Sequence, residues 1–143
     1  MNKQKLELLT VDQLIRLVRS IPDSGGVRGD HKRRMGFTMV QFRSIEISFR
    51  PAVKYVHFSI SNHATQCRSE GEMFQECIRR VLPSAKPAGR NKYRSVNDFS
   101  LHGKYLIDDD WDRLSAMLVL RLYHEFVQHG VVNEKGTTGS AHD

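Results

Sequence analysis

Two stretches of this sequence concentrate side chains that bind phosphate groups. Residues 25–34 carry four cations beside three glycines, and residues 79–104 carry seven cations against one acid. Lys and Arg beside Gly, with Tyr nearby, are typical of segments that contact a nucleic-acid backbone and stack on its bases. The predicted nucleic-acid-binding residues are Arg28, Lys32, Arg33, Arg34, Arg79, Arg80, Lys86, Arg90, Lys92, Arg94 and Lys104. A solvated, flexible connector would carry the same composition, and this alternative stays open.

Histidines offer a second kind of chemistry, acid–base catalysis on RNA. The chain has seven histidines, of which His57 lies beside Tyr55 on the polar side of a predicted strand and His102 lies in the second basic stretch. A ribonuclease that needs no metal uses such groups to move protons. No local spacing selects a catalytic pair, so we predict no catalytic residues and favour a protein that is not an enzyme.

Metal chemistry has two weaker candidates. His124 and His129 resemble a zinc-binding helix motif, but five residues of helix place their rings about 140° apart, where one ion does not reach both. Asp108, Asp109, Asp110 and Asp112 could hold a divalent cation, although aspartates before an amphipathic helix are more typical of N-terminal capping. The glycines at 25, 26 and 29 follow no strand and match no P-loop. We therefore expect no metal and no cofactor.

Composition indicates an ordinary globular chain with a basic surface. The 143 residues are 39% hydrophobic, and the formal net charge is +6. This size fits one domain, which we place at residues 1–133, followed by a disordered tail at 134–143. Cys67 and Cys77 are too few for a disulfide framework, and no apolar run is long enough to span a membrane. We predict a cytoplasmic protein with no membrane partner.

The elements that must position these side chains begin with a helix from Val11 to Ser20. Thr10 and Gln13 form a capping box at its start. Strands follow from Phe37 to Phe42, and again from Val53 to Ser61. Between them, Ile45, Ile47 and Phe49 alternate with polar residues, out of phase with Val40 and Phe42. This change of phase predicts a bulge or a tight turn near Arg43 and Ser44.

The second half of the chain predicts two further helices around one uncertain segment. Ser69 and Glu72 suggest another capping box, and the apolar stripe behind them ends at Pro83. Residues 84–97 have the composition of a polar connector, and residues 99–107 suggest a strand or a hairpin around Gly103. An amphipathic helix then starts near Trp111, with Gly130 as its stop.

These elements predict an α+β fold: a small, mostly antiparallel sheet of three to five strands, packed by about three helices in the order α-β-β-β-α-(ββ)-α. We expect a small basic protein without enzymatic activity, which acts on nucleic acid or a nucleoprotein complex as an accessory or regulatory factor. One alternative is a protein–protein interaction module, an inhibitor or adaptor that docks on an acidic protein. A third is a metal-independent, ribonuclease-like enzyme. A homodimer through the apolar faces of the terminal helices is compatible with all three.

Overall fold

The computed structural model describes residues 3–22, 28–30, 35–63, 67–87, 99–106 and 111–132. Within these ranges the helices are α1 (Lys3–Glu7), α2 (Val11–Arg19), α3 (Arg68–Val81) and α4 (Trp111–Gln128). The strands are β1 (Arg28–Asp30), β2 (Met35–Phe42), β3 (Ile45–Pro51), β4 (Tyr55–Asn62), β5 (Lys86–Pro87) and β6 (Leu101–Leu106). The predicted α+β class is confirmed, with the short helix α1 and a sixth strand in addition.

The strands form one antiparallel sheet in the order β1-β2-β3-β4-β6-β5. Arg43 and Ser44 are the two residues that join β2 to β3, so that Phe42 pairs with Ile45. This short turn explains why the buried positions are even-numbered before it and odd-numbered after it. Arg43 adopts the left-handed backbone region, with φ of 58°, and the Ser44 hydroxyl donates to Asn62 Oδ1 over 2.6 Å. The tight turn is confirmed.

The segment around Gly103 is one strand, so a hairpin there is wrong. Gly103 lies in the middle of β6, directly opposite Phe58 of β4. A Cβ atom at Gly103 would lie 2.5 Å from Phe58 Cζ, so the absence of a side chain lets β6 pair closely with β4. The partner on the other side of β6 is β5, which consists of Lys86 and Pro87 from the predicted connector.

The helices cover one face of the sheet. Helix α4 contacts α1, α2, α3 and strand β2, and it is therefore the centre of the helical layer. Phe74 of α3 stacks on Phe126 of α4, with ring centroids 5.3 Å apart. Tyr105 of β6 forms a hydroxyl–hydroxyl hydrogen bond with Ser115 of α4, which ties the sheet to this layer. The largest fully buried side chains are Phe42, Phe74, Phe126, Leu6, Leu14, Ile45, Ile47, Ile60, Ile78, Leu101 and Leu122.

The capping box of α2 is confirmed and that of α3 is wrong. The backbone N–H of Gln13 donates to Thr10 Oγ1 over 3.1 Å, and the backbone N–H of Thr10 donates to Gln13 Oε1 over 2.8 Å. Helix α3 has no side-chain hydrogen bond at its N-cap, so Ser69 and Glu72 do not form a box. Glu72 instead pairs with Arg68, one turn earlier, at 3.1 Å.

Helix α4 ends where the sequence predicts. Gly130 has φ of 76°, and the backbone N–H of Val131 donates to the Phe126 carbonyl over 2.8 Å, which closes the last turn. The aspartates at 108–110 and the tail at 134–143 lie outside the described residues. Their roles, and the domain boundary at 133, stay predictions.

The apolar faces of the terminal helices pack inside one chain. Leu14 and Val18 of α2 and Leu122 and Phe126 of α4 are fully buried, and these two helices contact each other. These four side chains already belong to the core, and a homodimer through the remaining apolar surface of the terminal helices stays a prediction.

Candidate nucleic-acid interface

The side of the sheet opposite the helices carries the polar half of each strand. On β4, Val56, Phe58 and Ile60 are buried, whereas His57 is half-buried and Ser59 is exposed. Successive strand residues point to opposite faces, so His57 and Ser59 lie away from the helices. We call this side the open face. Its described side chains are Met39, Gln41, Glu46, Ser48, Arg50, Tyr55, His57, Ser59, Ser61, Lys86, His102, Lys104 and Leu106.

Three basic side chains form a row across the centre of the open face. Arg50 of β3 lies directly opposite His57 of β4, which lies directly opposite Lys104 of β6. Side chains opposed in this way have Cβ atoms about 5 Å apart. Because neighbouring strands are about 4.8 Å apart, the Arg50 and Lys104 backbones are separated by roughly 10 Å. Both of these cations are exposed to solvent.

A second row runs parallel to the first and reaches the edge of the sheet. Ser48, Ser59 and His102 lie opposite one another on β3, β4 and β6, and Lys86 of β5 lies opposite His102. His102 and Lys86 are exposed. At the other end, the register continues through Met39 of β2 to Arg28 of β1. This row thus places two neighbouring hydroxyl groups beside two neighbouring basic groups.

The positive charge of this face is not neutralised within the described part of the chain. Arg50, Lys86 and Lys104 form no ion pair with any described carboxylate. Among the described open-face side chains, Glu46 is the one acid, and it lies in a third row between Gln41 and Ser61. As far as the described side chains go, the two rows above therefore present cations without an ion-pair partner.

One corner of the open face is apolar. Tyr55 lies directly opposite Leu106, which is 66% exposed. Lys104 Nζ lies 4.3 Å from the centre of the Tyr55 ring, a cation–π contact. This corner joins a flat aromatic ring to the end of the first basic row.

Arg80, a predicted binding residue, belongs to a different environment, between α3 and α4. Its guanidinium lies 3.4 Å from Glu76 and 3.5 Å from Glu125. It also contacts His129 Nε2 at 2.6 Å. Its charge therefore serves to join two helices. Arg79, its neighbour, is exposed on α3, in the helical layer and away from the open face.

The thiols and acidic groups that the structure describes do not form a second reactive site. Burial, reinforced by the negative charge of Glu125, raises the pKa of Cys77 to about 11. This thiol is therefore protonated and unreactive at neutral pH. Cys67 is a free, exposed thiol. Across the described ranges, no three His, Cys, Asp or Glu side chains converge as metal ligands.

The structure divides the predicted binding residues into four groups. Lys86 and Lys104 lie on the open face, and Arg79 and Arg80 lie in the helical layer. Arg28 is placed by its backbone alone, while six others lie outside the described residues: Lys32, Arg33, Arg34, Arg90, Lys92 and Arg94. The predicted set of nucleic-acid-binding residues did not include Arg50, Ser48 or Ser59. The alternation of β3 was the available signal, but it did not show which strands lie beside β3.

Comparisons with protein-family models, with curated proteins and with solved structures found no match to this chain. In the described ranges, no helix has the length and apolar character needed to cross a membrane. The surface chemistry of the fold therefore carries the functional assignment.

Proposed function

We propose that this chain binds nucleic acid through the open face of its sheet. The row of Arg50, His57 and Lys104 is the observation that supports this most strongly. Cations held on one face repel one another and weaken the sheet. Bound phosphate groups would replace that repulsion with attraction, and Lys86 and His102 extend the same chemistry to the edge of the sheet.

The remaining side chains of the face favour a nucleic acid over an acidic protein as the partner. Ser48 and Ser59 supply hydroxyl donors beside the first basic row, and phosphate oxygens accept from Ser as well as from Lys and Arg. The centres of protein–protein interfaces are instead depleted of Lys and Ser and enriched in aromatic and apolar side chains. The basic rows have the composition that suits phosphate contacts.

Single strands are the preferred form of the nucleic acid in this proposal. Tyr55 and Leu106 offer an aromatic and apolar surface beside the first basic row. Base stacking on such a surface is worth about 1–3 kcal/mol per base, and it requires an exposed base face. A duplex hides its base faces within the helix, so it would bind through phosphate contacts alone.

We place this binding in the cytoplasm as an accessory or regulatory activity. Both cysteines are free, which supports a reducing compartment. Fractionation of cells that express the full chain checks the location: recovery in the membrane or secreted fraction would contradict it.

Fluorescence anisotropy of labelled single-stranded RNA and DNA, with the matching duplex, tests the proposal. If three phosphates are contacted, the logarithm of the affinity falls with the logarithm of salt concentration with a slope of about −2. The affinity for single strands should then fall about 20-fold between 50 and 200 mM salt. Absence of binding, or an affinity that salt does not change, would contradict the proposal.

Affinity purification with and without nuclease separates the protein-binding alternative. The proposal predicts that nucleic acid co-purifies with the chain and that nuclease releases it. A stoichiometric complex with an acidic protein that survives nuclease, without bound nucleic acid, would overturn the proposal in favour of an adaptor or inhibitor.

A further inference from the structure

Two histidines lie on adjacent strands at the centre of the basic rows. His57 is opposite Lys104, and Ser59, two residues further along β4, is opposite His102. These four residues form a patch on the open face. His57 and His102 are diagonal neighbours in it, a relation that places backbones about 7–8 Å apart. Two rings extending from such positions can flank one phosphate group.

The rings of both histidines are available to a ligand. His102 is exposed and His57 is half-buried, and neither imidazole ring forms a hydrogen bond with a described side chain or backbone group. Other histidines differ in this respect, since His63 contacts Ser61 at 3.4 Å and His129 contacts Arg80 at 2.6 Å. Unengaged imidazoles beside cations are suited to proton transfer at an anionic substrate.

We propose that this patch cleaves single-stranded RNA without a metal, an activity that rests on the nucleic-acid binding proposed above. One histidine takes the proton of a ribose 2′-hydroxyl while the 2′-oxygen attacks the adjacent phosphorus. The other histidine gives a proton to the 5′-oxygen as the P–O5′ bond breaks. The products are a 2′,3′-cyclic phosphate and a 5′-hydroxyl end.

The cations and the proton balance complete the reaction. Lys104 and Arg50 flank His57 and stabilise the negative charge that grows on the non-bridging phosphate oxygens. After one cleavage the two histidines have exchanged protonation states. Water then attacks the cyclic phosphate as its P–O2′ bond breaks. With the proton transfers reversed, this step leaves a 2′-hydroxyl and a 3′-phosphate and restores both histidines. This activity departs from the expectation of a protein that is not an enzyme.

The experiment uses the full chain, EDTA, a 5′-labelled single-stranded RNA and a DNA of the same sequence. RNA should be cut to products that end first in a cyclic phosphate and later in a 3′-phosphate, whereas DNA, which lacks the 2′-hydroxyl, should be bound and remain intact. His57→Ala and His102→Ala should each lower kcat by 10²- to 10⁴-fold. His124→Ala, an exposed histidine of α4, is the matched control and should retain full activity.

A substrate with sulfur in place of the 5′-oxygen identifies the two roles, because a thiolate leaves without a proton. The variant that lacks the general acid should regain activity on this substrate, and the variant that lacks the base should not. His57→Asn is a second variant at this position, because Asn keeps a polar side chain on the open face.

The two proposals fail in different ways. Binding of RNA without cleavage, or cleavage unchanged in the His57→Ala/His102→Ala double variant, would overturn the catalytic inference and leave the binding intact. Absence of binding to the DNA and to 2′-O-methyl RNA would overturn the proposed function itself.

Discussion

Arg80 and Lys104 come from the same basic stretch of sequence, but they have opposite surroundings in the fold. Arg80 has a side chain 41% exposed and lies between Glu76, Glu125 and His129, so its charge is compensated by neighbouring helical residues. Lys104 is exposed on the open face, where it contacts the Tyr55 ring and no described carboxylate. The difference shows that a cation is available to a ligand only when the fold has not already supplied its counter-charge.

The largest effect should come from reversing the charge of the first basic row. In Arg50→Glu/Lys104→Glu, affinity for a single strand should fall about 100-fold, because two phosphate contacts become repulsive. The slope of the logarithm of affinity against the logarithm of salt concentration should become shallower by about 1.4. Anisotropy titrations at several salt concentrations measure both quantities.

Arg16→Glu/Arg79→Glu is the matched control for this reversal. It makes the same change in net charge at two exposed positions of the helical layer. If its affinity falls as far as that of the open-face variant, binding depends on net charge, and the comparison between the two surfaces fails.

The next effect concerns the pairing that brings β6 into the face. Gly103→Ala should lower the free energy of unfolding by about 2 kcal/mol, because its Cβ would lie 2.5 Å from Phe58 Cζ. Phe58→Leu should reduce this penalty when the two changes are combined. Chemical denaturation of the four proteins measures the coupling, and strictly additive losses would argue against close contact at this position.

A smaller loss should follow removal of the aromatic ring at the apolar corner. Tyr55→Ala should weaken single-strand binding about 10-fold and leave duplex binding nearly unchanged, because stacking requires an exposed base. Tyr55→Phe keeps the ring and should bind like the unmodified chain. Equal losses on single and double strands would show that Tyr55 acts without stacking.

The smallest effect should come from Arg80→Met. The ion pairs of Arg80 are partly solvated, so the loss in stability should be about 1 kcal/mol. Nucleic-acid affinity should not change, because Arg80 is in the helical layer. Arg79→Met, at the adjacent exposed position, should change neither property. A binding defect in Arg80→Met would place this arginine in the interface after all.

Local sequence patterns predicted much of the fold. The phase change between Phe42 and Ile45 required a bulge or a tight turn, and the capping residues located the start of α2, because both signals arise from neighbours in the chain. Gly103 was ambiguous. Its role depends on the Phe58 ring of another strand, and a lone glycine equally suits a turn.

The open face also depends on contacts between distant parts of the chain, which local sequence patterns do not show. Alternation along β4 placed His57 on a polar side, but its neighbours Arg50 and Lys104 are set by strand order and register. Conversely, Arg80 had the composition of a binding residue, and its partner His129 lies 49 residues further along the chain. Charge clusters in the sequence therefore locate cations without showing which of them remain accessible.

Mapping the bound strand by NMR tests the central claim most directly. In a titration of the ¹⁵N-labelled chain with a single-stranded DNA, the claim predicts amide shifts at 48–50, 57–59 and 102–104, and none along α3. Shifts concentrated on α3, around Arg79 and Arg80, with the open face unchanged, would contradict it.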